Sequence, residues 1–472
     1  MMKSPQPPVV SIINLGCQKN TVDTERLLAH LAQSGLLLSH YAEESDVCLV
    51  NTCGFIESAR SEVQENIEGL VALRQRYGKP KLIVALGCLV ASPHPFPHLN
   101  GADQRVHFRD YLKLPDLIRQ WLFQPHDEIG SCVVEQCPSS SPHPPAAFPQ
   151  LPRLLTASPH SVHLKIAEGC SHRCSYCSIP LLRGAQVSRP PEDILQEARQ
   201  LIEAGAREIN LIAQDTTAYG RDLPAPAPRL PTLLPQLLEL SPAPAWFRLM
   251  YLYPNHVTDE LLACFQHPRM TPYIDLPLQH VHADILKSMN RPGDPKSLAR
   301  LLDRIRDHIP RAALRTTFIL GYPLETETHF HELLRFVQQH EFDHLGAFIW
   351  SPEPGTRAAA MPDETSQEEK ADRLEQLMHL QQGISRRKLR ERIGTTTSVM
   401  IDAPAERGET KTRSRKQRTT QVLARTSRQA PEVDGITRVR IPPRARVPTP
   451  GTICQVTITD ADTYDLYAKL KS

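Results

Sequence analysis

From residue 9 onward, short apolar runs alternate with longer segments whose apolar residues recur at helical spacing. "VVSIINLG" runs into Cys17, "DVCLVNT" into Cys53 and "KLIVALG" into Cys88. Between them, "TVDTERLLAHLAQSG" and "ESARSEVQENIEGLVALRQRYG" read as amphipathic helices that stop at glycine. Strand followed by helix, repeated, predicts an α/β domain with a parallel sheet over residues 8–125. All carboxyl ends of such a sheet lie on one edge, where ligands bind, so Cys17, Cys53 and Cys88 are expected to converge.

The alternation breaks at residues 126–157, where proline and serine dominate ("CPSSSPHPPAAFPQLPRLL") and no core can form, which predicts a linker. It resumes over residues 158–390. "VHLKIAEG", "EINLIAQD", "WFRLMYLYP", "YIDLPLQH", "LRTTFILGYP" and "HLGAFIWSPEPG" are six strand candidates, mostly with helical segments between them. One of these helices, "PEDILQEARQLIEAG", has proline near its start and Gly205 at its end. The pattern predicts a complete or partial (β/α)6 barrel. Gln214, Asp215, His256, Gln279 and His280 follow its strands, on the edge that carries chemistry in barrels. From residue 391 to 472 the pieces shorten to "TTSVMI", "TTQVLAR", "ITRVRI" and "ICQVTITD", which predicts a small five-strand β-barrel.

Composition narrows the class. A chain of 472 residues is too long for one core, and 40% hydrophobic with 22% charged residues describes a globular protein. No apolar run reaches the ~18–20 residues that cross a bilayer, and the first residues carry no secretory pattern, so a cytoplasmic protein without a membrane is expected. The net charge is only +2, yet from Arg407 to Arg446 twelve Lys or Arg face three Asp or Glu. A small barrel with a basic face engages nucleic acid or a ribonucleoprotein. Eleven cysteines in a large, signal-free chain point to metal or redox chemistry rather than disulfides. Cys48, Cys132, Cys137, Cys264 and Cys454 read as ordinary small residues.

The chemistry is concentrated in "KIAEGCSHRCSYCSIPLLRG", where Cys170, Cys174 and Cys177 are spaced C-x3-C-x2-C. Zinc would want a fourth protein ligand, and His172 lies inside the first spacer, too near to close the site. An iron–sulfur cube accepts three cysteines and leaves one iron open for a chelate. The amino and carboxylate groups of S-adenosylmethionine suit that position. The spacing, the aromatic Tyr176 before the last cysteine and the barrel resemble the radical S-adenosylmethionine superfamily.

With the amino-terminal cysteine domain and the small final barrel, the whole chain is similar to the methylthiotransferases of that superfamily. "NTCGFIESARSE", "LIAQDTTAYG", "YIDLPLQHVHADILKSMNRPG" and "SRQAPEVDGI" resemble the branch that modifies an aspartate of small-subunit ribosomal protein number twelve. The resemblance implies two [4Fe-4S] clusters, one on Cys170, Cys174 and Cys177 and one on Cys17, Cys53 and Cys88, with a TRAM domain at the tail. It implies S-adenosylmethionine, with Tyr176 near the adenine and Gln214 and Asp215 at the methionyl amino group. Arg248 and Arg315 are the expected partners of the carboxylate. The implied partners are the ribosomal protein or ribosome, met through the TRAM domain, a reduced flavodoxin or ferredoxin, and a sulfur source. Two readings stand beside this one: a transfer-RNA methylthiotransferase, and a non-catalytic iron–sulfur protein that binds ribosomes or RNA. Two residues depart from the branch: Gln18 in "LGCQKN", where proline is usual, and Leu324 in "GYPLET", where glycine is usual.

Overall fold

The computed structural model describes residues 6–54, 56–92, 97–123, 152–156, 158–240, 246–412 and 415–471. In the first domain β1 (Val9–Asn14), β2 (Leu37–Leu38), β3 (Val47–Thr52), β4 (Leu82–Gly87) and β5 (Gln104–Val106) form a parallel sheet ordered β2-β1-β3-β4-β5. Alternate residues of β3 and β4 feed two separate cores. Val47, Leu49, Leu82 and Val84 pack with Leu27 and Leu31 of α1 (Gln18–Gln33) and with Ile118 and Trp121 of α3 (Leu114–Phe123). Cys48, Val50, Ile83 and Ala85 pack with Val63, Ile67 and Leu70 of α2 (Glu57–Tyr77) on the other face. Burial on both faces is why these strands read as unbroken apolar runs.

Most of the expected linker, together with Cys132 and Cys137, lies outside the described residues. The second domain begins with β6 (Ser161–Lys165). A two-residue pair, β7 (Ala167–Glu168) and β8 (Val187–Ser188), then brackets the cysteine loop and the short α4 (Ile179–Arg183). β9 (Glu208–Ile212) and β10 (Trp246–Leu249) complete one parallel sheet, ordered β10-β9-β6. β11 (Tyr273–Asp275), β12 (Ala313–Leu320) and β13 (His344–Ile349) form the other. The Leu252 amide donates to the Asp275 carbonyl at 2.9 Å and joins the two, giving the arc of a six-strand partial barrel. Its outer layer is α5 (Pro191–Glu203), α6 (Leu230–Leu238), α7 (Asp259–Cys264), α8 (Ala283–Ser288), α9 (Pro295–His308) and α10 (Glu327–His340).

The long α11 (Gln367–Arg390) leads to a closed barrel of β14 (Thr396–Thr412), β15 (Arg415–Thr426), β16 (Thr437–Ile441), β17 (Ile453–Ala461) and β18 (Leu466–Leu470). Five strands close it, as the sequence predicts. Its β15–β16 loop enters the larger barrel. Ala430 packs there with Val22 of the first domain and with Ile212, Met250, Tyr273 and Ala313 of the second. All three domains therefore share one small core.

Candidate functional site

The three loops that follow β1, β3 and β4 meet. A Cβ on Gly16, which has φ +129°, would stand 3.3 Å from the Cys53 Cβ, and one on Gly54 would stand 3.2 Å from the Cys88 carbonyl carbon. Asn20 ties the loops together. Its amide nitrogen takes the Cys17 carbonyl at 2.8 Å, and its side-chain amide donates to Leu15 and Thr52 carbonyls at 3.2 and 3.1 Å. Cys17 is exposed and Cys88 buried. Burial pushes the Cys88 thiol up, opposed by Arg183 and reinforced by Cys17.

The second cysteine loop is anchored on the end of α8. The Ser175 amide donates to the Met289 carbonyl at 3.0 Å, and its hydroxyl to the Ser288 carbonyl at 2.6 Å. Burial, and then the neighbouring thiols, push Cys170 up to about 11 and Cys177 up to about 12. Among the described residues, the groups of three potential ligands with atoms within 4.8 Å of one another are His172–Asp215–His256 and His282–Asp284–His329. Neither contains a cysteine. His172 faces Asp215, with Nε2 2.7 Å from Asp215 Oδ2.

Asp215 organises this edge of the barrel. It accepts from the Thr217 and Ala218 amides at 2.9 and 3.2 Å, and its other oxygen meets His172 and His256. Burial alone would raise its pKa; hydrogen bonds from His172, His256 and Thr217 hold it below the usual carboxylate range. The His172 ring stacks on Tyr253 at 3.9 Å, and Arg291 lies over the other ring partner, 4.6 Å from the Tyr253 centroid. Arg291 Nη1 also reaches Cys174 Sγ at 3.8 Å. Tyr176 packs against Ile285, Met289, Tyr322, Trp350 and Ala358. Gln214 donates to Glu168 at 3.0 Å, and its buried Oε1 has no partner among the described residues. That open acceptor suits an ammonium group.

Gln279 and His280 serve the fold. Gln279, at φ +70°, pairs through its backbone with Thr317 and Ile319, and the fully buried His280 faces Glu325 at 3.5 Å. Arg248 and Arg315 do not face the cysteine loop through any ion pair. Arg248 is fully buried, with Nη2 2.9 Å from Glu208 and Nη1 3.1 Å from the Ser427 carbonyl. Arg315 pairs with Asp275 at 3.3 Å and with Asp434 of the final barrel at 3.6 Å. A strand arginine was expected to meet a carboxylate ligand; these two meet protein carboxylates and carbonyls at the docking of the third domain. Arg183, Glu168, Asn20 and Arg291 carry the site's polar contacts, and no local pattern singles them out in the sequence.

The two cysteine sites share an interface. Arg183, at the end of α4, donates through Nε to Cys88 Sγ at 3.1 Å. Gln18 accepts from the Tyr251 hydroxyl at 2.8 Å, and Lys19 Nζ lies 3.3 Å from the Tyr251 ring centroid. The departure at Gln18 thus makes a contact between domains that proline could not.

Family descriptions match each domain: an uncharacterized protein family, UPF0004, at residues 9–98, the radical SAM superfamily at 164–337 and a TRAM domain at 393–470. Over 98% of its length, and 98% of the relative's, the chain is 39% identical to the ribosomal protein uS12 methylthiotransferase RimO of Geobacter sulfurreducens. The RimO of Syntrophus aciditrophicus is 40% identical over the same shares. The chain belongs to the RimO family. Its fold is also similar to the radical S-adenosylmethionine methyltransferase TsrM of Kitasatospora setae, with a TM-score of 0.56 and 13% identity over 74% of each chain. Within the RimO family frame, Leu324 keeps the left-handed backbone expected of the usual glycine, at φ +74°.

Proposed function

We propose that this RimO-family chain adds a methylthio group to the β-carbon of an aspartate in ribosomal protein uS12. Cys170, Cys174 and Cys177 would hold a [4Fe-4S] cluster, which with S-adenosylmethionine would supply one-electron cleavage of a carbon–sulfur bond and hydrogen-atom abstraction. Cys17, Cys53 and Cys88 would hold a second [4Fe-4S] cluster, which would carry the transferred sulfur. The chain's own residues position these parts. Gln214 Oε1 would accept from the methionyl ammonium, and Asp215 fixes His172 and with it the loop between Cys170 and Cys174. Tyr176 forms an apolar wall beside that loop. Cys17 is the exposed member of its triplet, which leaves it open to a sulfur source. The final barrel engages the ribosomal protein or the ribosome, and a reduced flavodoxin or ferredoxin supplies electrons. No described helix is long and apolar enough to cross a membrane, and the reaction belongs in the cytoplasm with the ribosome.

What supports the reading most is the juxtaposition of the two thiol sites through Arg183 and Cys88. Carbon–sulfur coupling needs the held sulfur and the reacting carbon in one cavity. The test is the Cys17→Ala, Cys53→Ala, Cys88→Ala variant of the full chain, anaerobically reconstituted. It is expected to keep about four irons of about eight, to release 5′-deoxyadenosine, and to make no methylthiolated uS12. Methylthiolated product at the parent level would show those cysteines to be structural. Absence of 5′-deoxyadenosine from the parent itself would favour a non-catalytic binder, and modified transfer RNA in place of uS12 would move the substrate to the other branch.

A further inference from the structure

Arg183 follows Cys177 closely in the chain, at the end of α4, yet its guanidinium lies in the cysteine site of the other domain. Nε donates to Cys88 Sγ at 3.1 Å. Nη1 meets Asp23 at 2.9 Å and Glu168 at 3.3 Å, and Nη2 meets Asn20 Oδ1 at 2.5 Å. The side chain is 4% exposed. Lys165 balances the two carboxylates, 2.7 Å from Glu168 and also paired with Asp23. Each nitrogen of the planar fork therefore has its own partner, and arginine keeps its charge in such a place. Asn20 extends the same contact to the loops of Cys17 and Cys53.

A fixed positive charge that hydrogen-bonds a ligand sulfur withdraws electron density from it, and hydrogen bonds of this kind raise the reduction potential of an iron–sulfur cluster. In the barrel's own loop the corresponding contact is longer, Arg291 to Cys174 at 3.8 Å. We propose that Arg183 is a positioning residue for the amino-terminal cluster, reaching across the domain interface to orient the Cys88 sulfur and to raise that cluster's reduction potential. The proposal rests on the reading that Cys17, Cys53 and Cys88 hold a [4Fe-4S] cluster. Because α4 follows directly on the Cys170–Cys177 loop and ends in this arginine, docking of the two domains sets the electronics of the amino-terminal site.

The test uses the full chain with Cys170→Ala, Cys174→Ala and Cys177→Ala, which leaves only the amino-terminal site, with Arg183 or with R183K or R183Q. After anaerobic reconstitution, iron, sulfide, circular dichroism and a spectroelectrochemical reduction potential are measured. All three are expected to bind about four irons. The potential is expected to move negative in R183Q and to lie between in R183K, which keeps the charge but loses the fork. A merely structural arginine would lower occupancy or melting temperature and leave the potential of the loaded fraction unchanged; equal potentials overturn the proposal. If R183Q does not fold, R183K decides, and an unshifted potential there overturns it. If the chain with Arg183 binds no iron, the cluster reading fails first and takes the proposal with it.

Discussion

Leu324 shows what a single departure costs. Its φ of +74° is one that L side chains adopt with strain, and 59% of the leucine is exposed, so little burial compensates. Leu324→Gly is expected to stabilise the protein by about 1 kcal/mol, read as a higher thermal midpoint. A lower midpoint would show that the leucine side chain makes a stabilising contact. The sequence alone marked this position as unusual, because a motif with glycine in it exposes any other residue. It gave no such mark for Asn20 or Arg183, which meet each other and Thr52 and Cys88 only through the fold.

Among the elements, α5 carries one of the links between the first two domains. Glu197 on α5 receives Arg26 of α1, Arg153 and Arg189, with Arg189 at 2.7 Å and Arg153 at 3.1 Å. Burial would raise the Glu197 pKa, but the three guanidiniums bring it down to about 2. A carboxylate depressed from about 4.3 in the unfolded chain contributes stability that is complete above that value. It is lost as pH falls from there toward about 2. The contribution is about 3 kcal/mol. In acid titrations of domain dissociation, Glu197→Gln is expected to remove that part of the pH dependence while lowering stability at neutral pH. An unchanged acid profile would mean that other carboxylates hold the interface. The helix itself was legible from its period and its proline start, but the period only says that one face is buried; it does not say that a charge on that helix joins two domains.

For the whole molecule, the third domain is a structural closure of the second. Arg425 pairs with Glu208 at 2.8 Å, and the Tyr273 hydroxyl donates to Asp434 at 2.7 Å. Ala430 completes the shared core. Removing the third domain would leave Glu208 without Arg425, Arg248 without the Ser427 carbonyl and Tyr273 without its acceptor. A chain ending at residue 390 is expected to melt lower and to bind a hydrophobic dye at temperatures where the full chain does not. A truncated chain with the parent's melting curve would show the closure to be dispensable.

Periodicity, strand–helix alternation and the C-x3-C-x2-C spacing determined the three-domain α/β architecture and the two cysteine triplets. Each of these signals is local or repeats along the chain: a helix turn, a pleat, or a loop that brings sulfurs a few residues apart to one place. The convergence of Cys17, Cys53 and Cys88 was also legible, because a parallel sheet sends every strand's carboxyl end to the same edge. The partners of Arg248 and Arg315, the entry of Ala430 into the barrel and the contact of Arg183 with Cys88, 95 residues away in sequence, were decided only by the tertiary structure. They depend on how preformed domains dock. A buried arginine on a strand or helix end has the same local pattern whether its carboxylate belongs to a ligand, its own domain or the next.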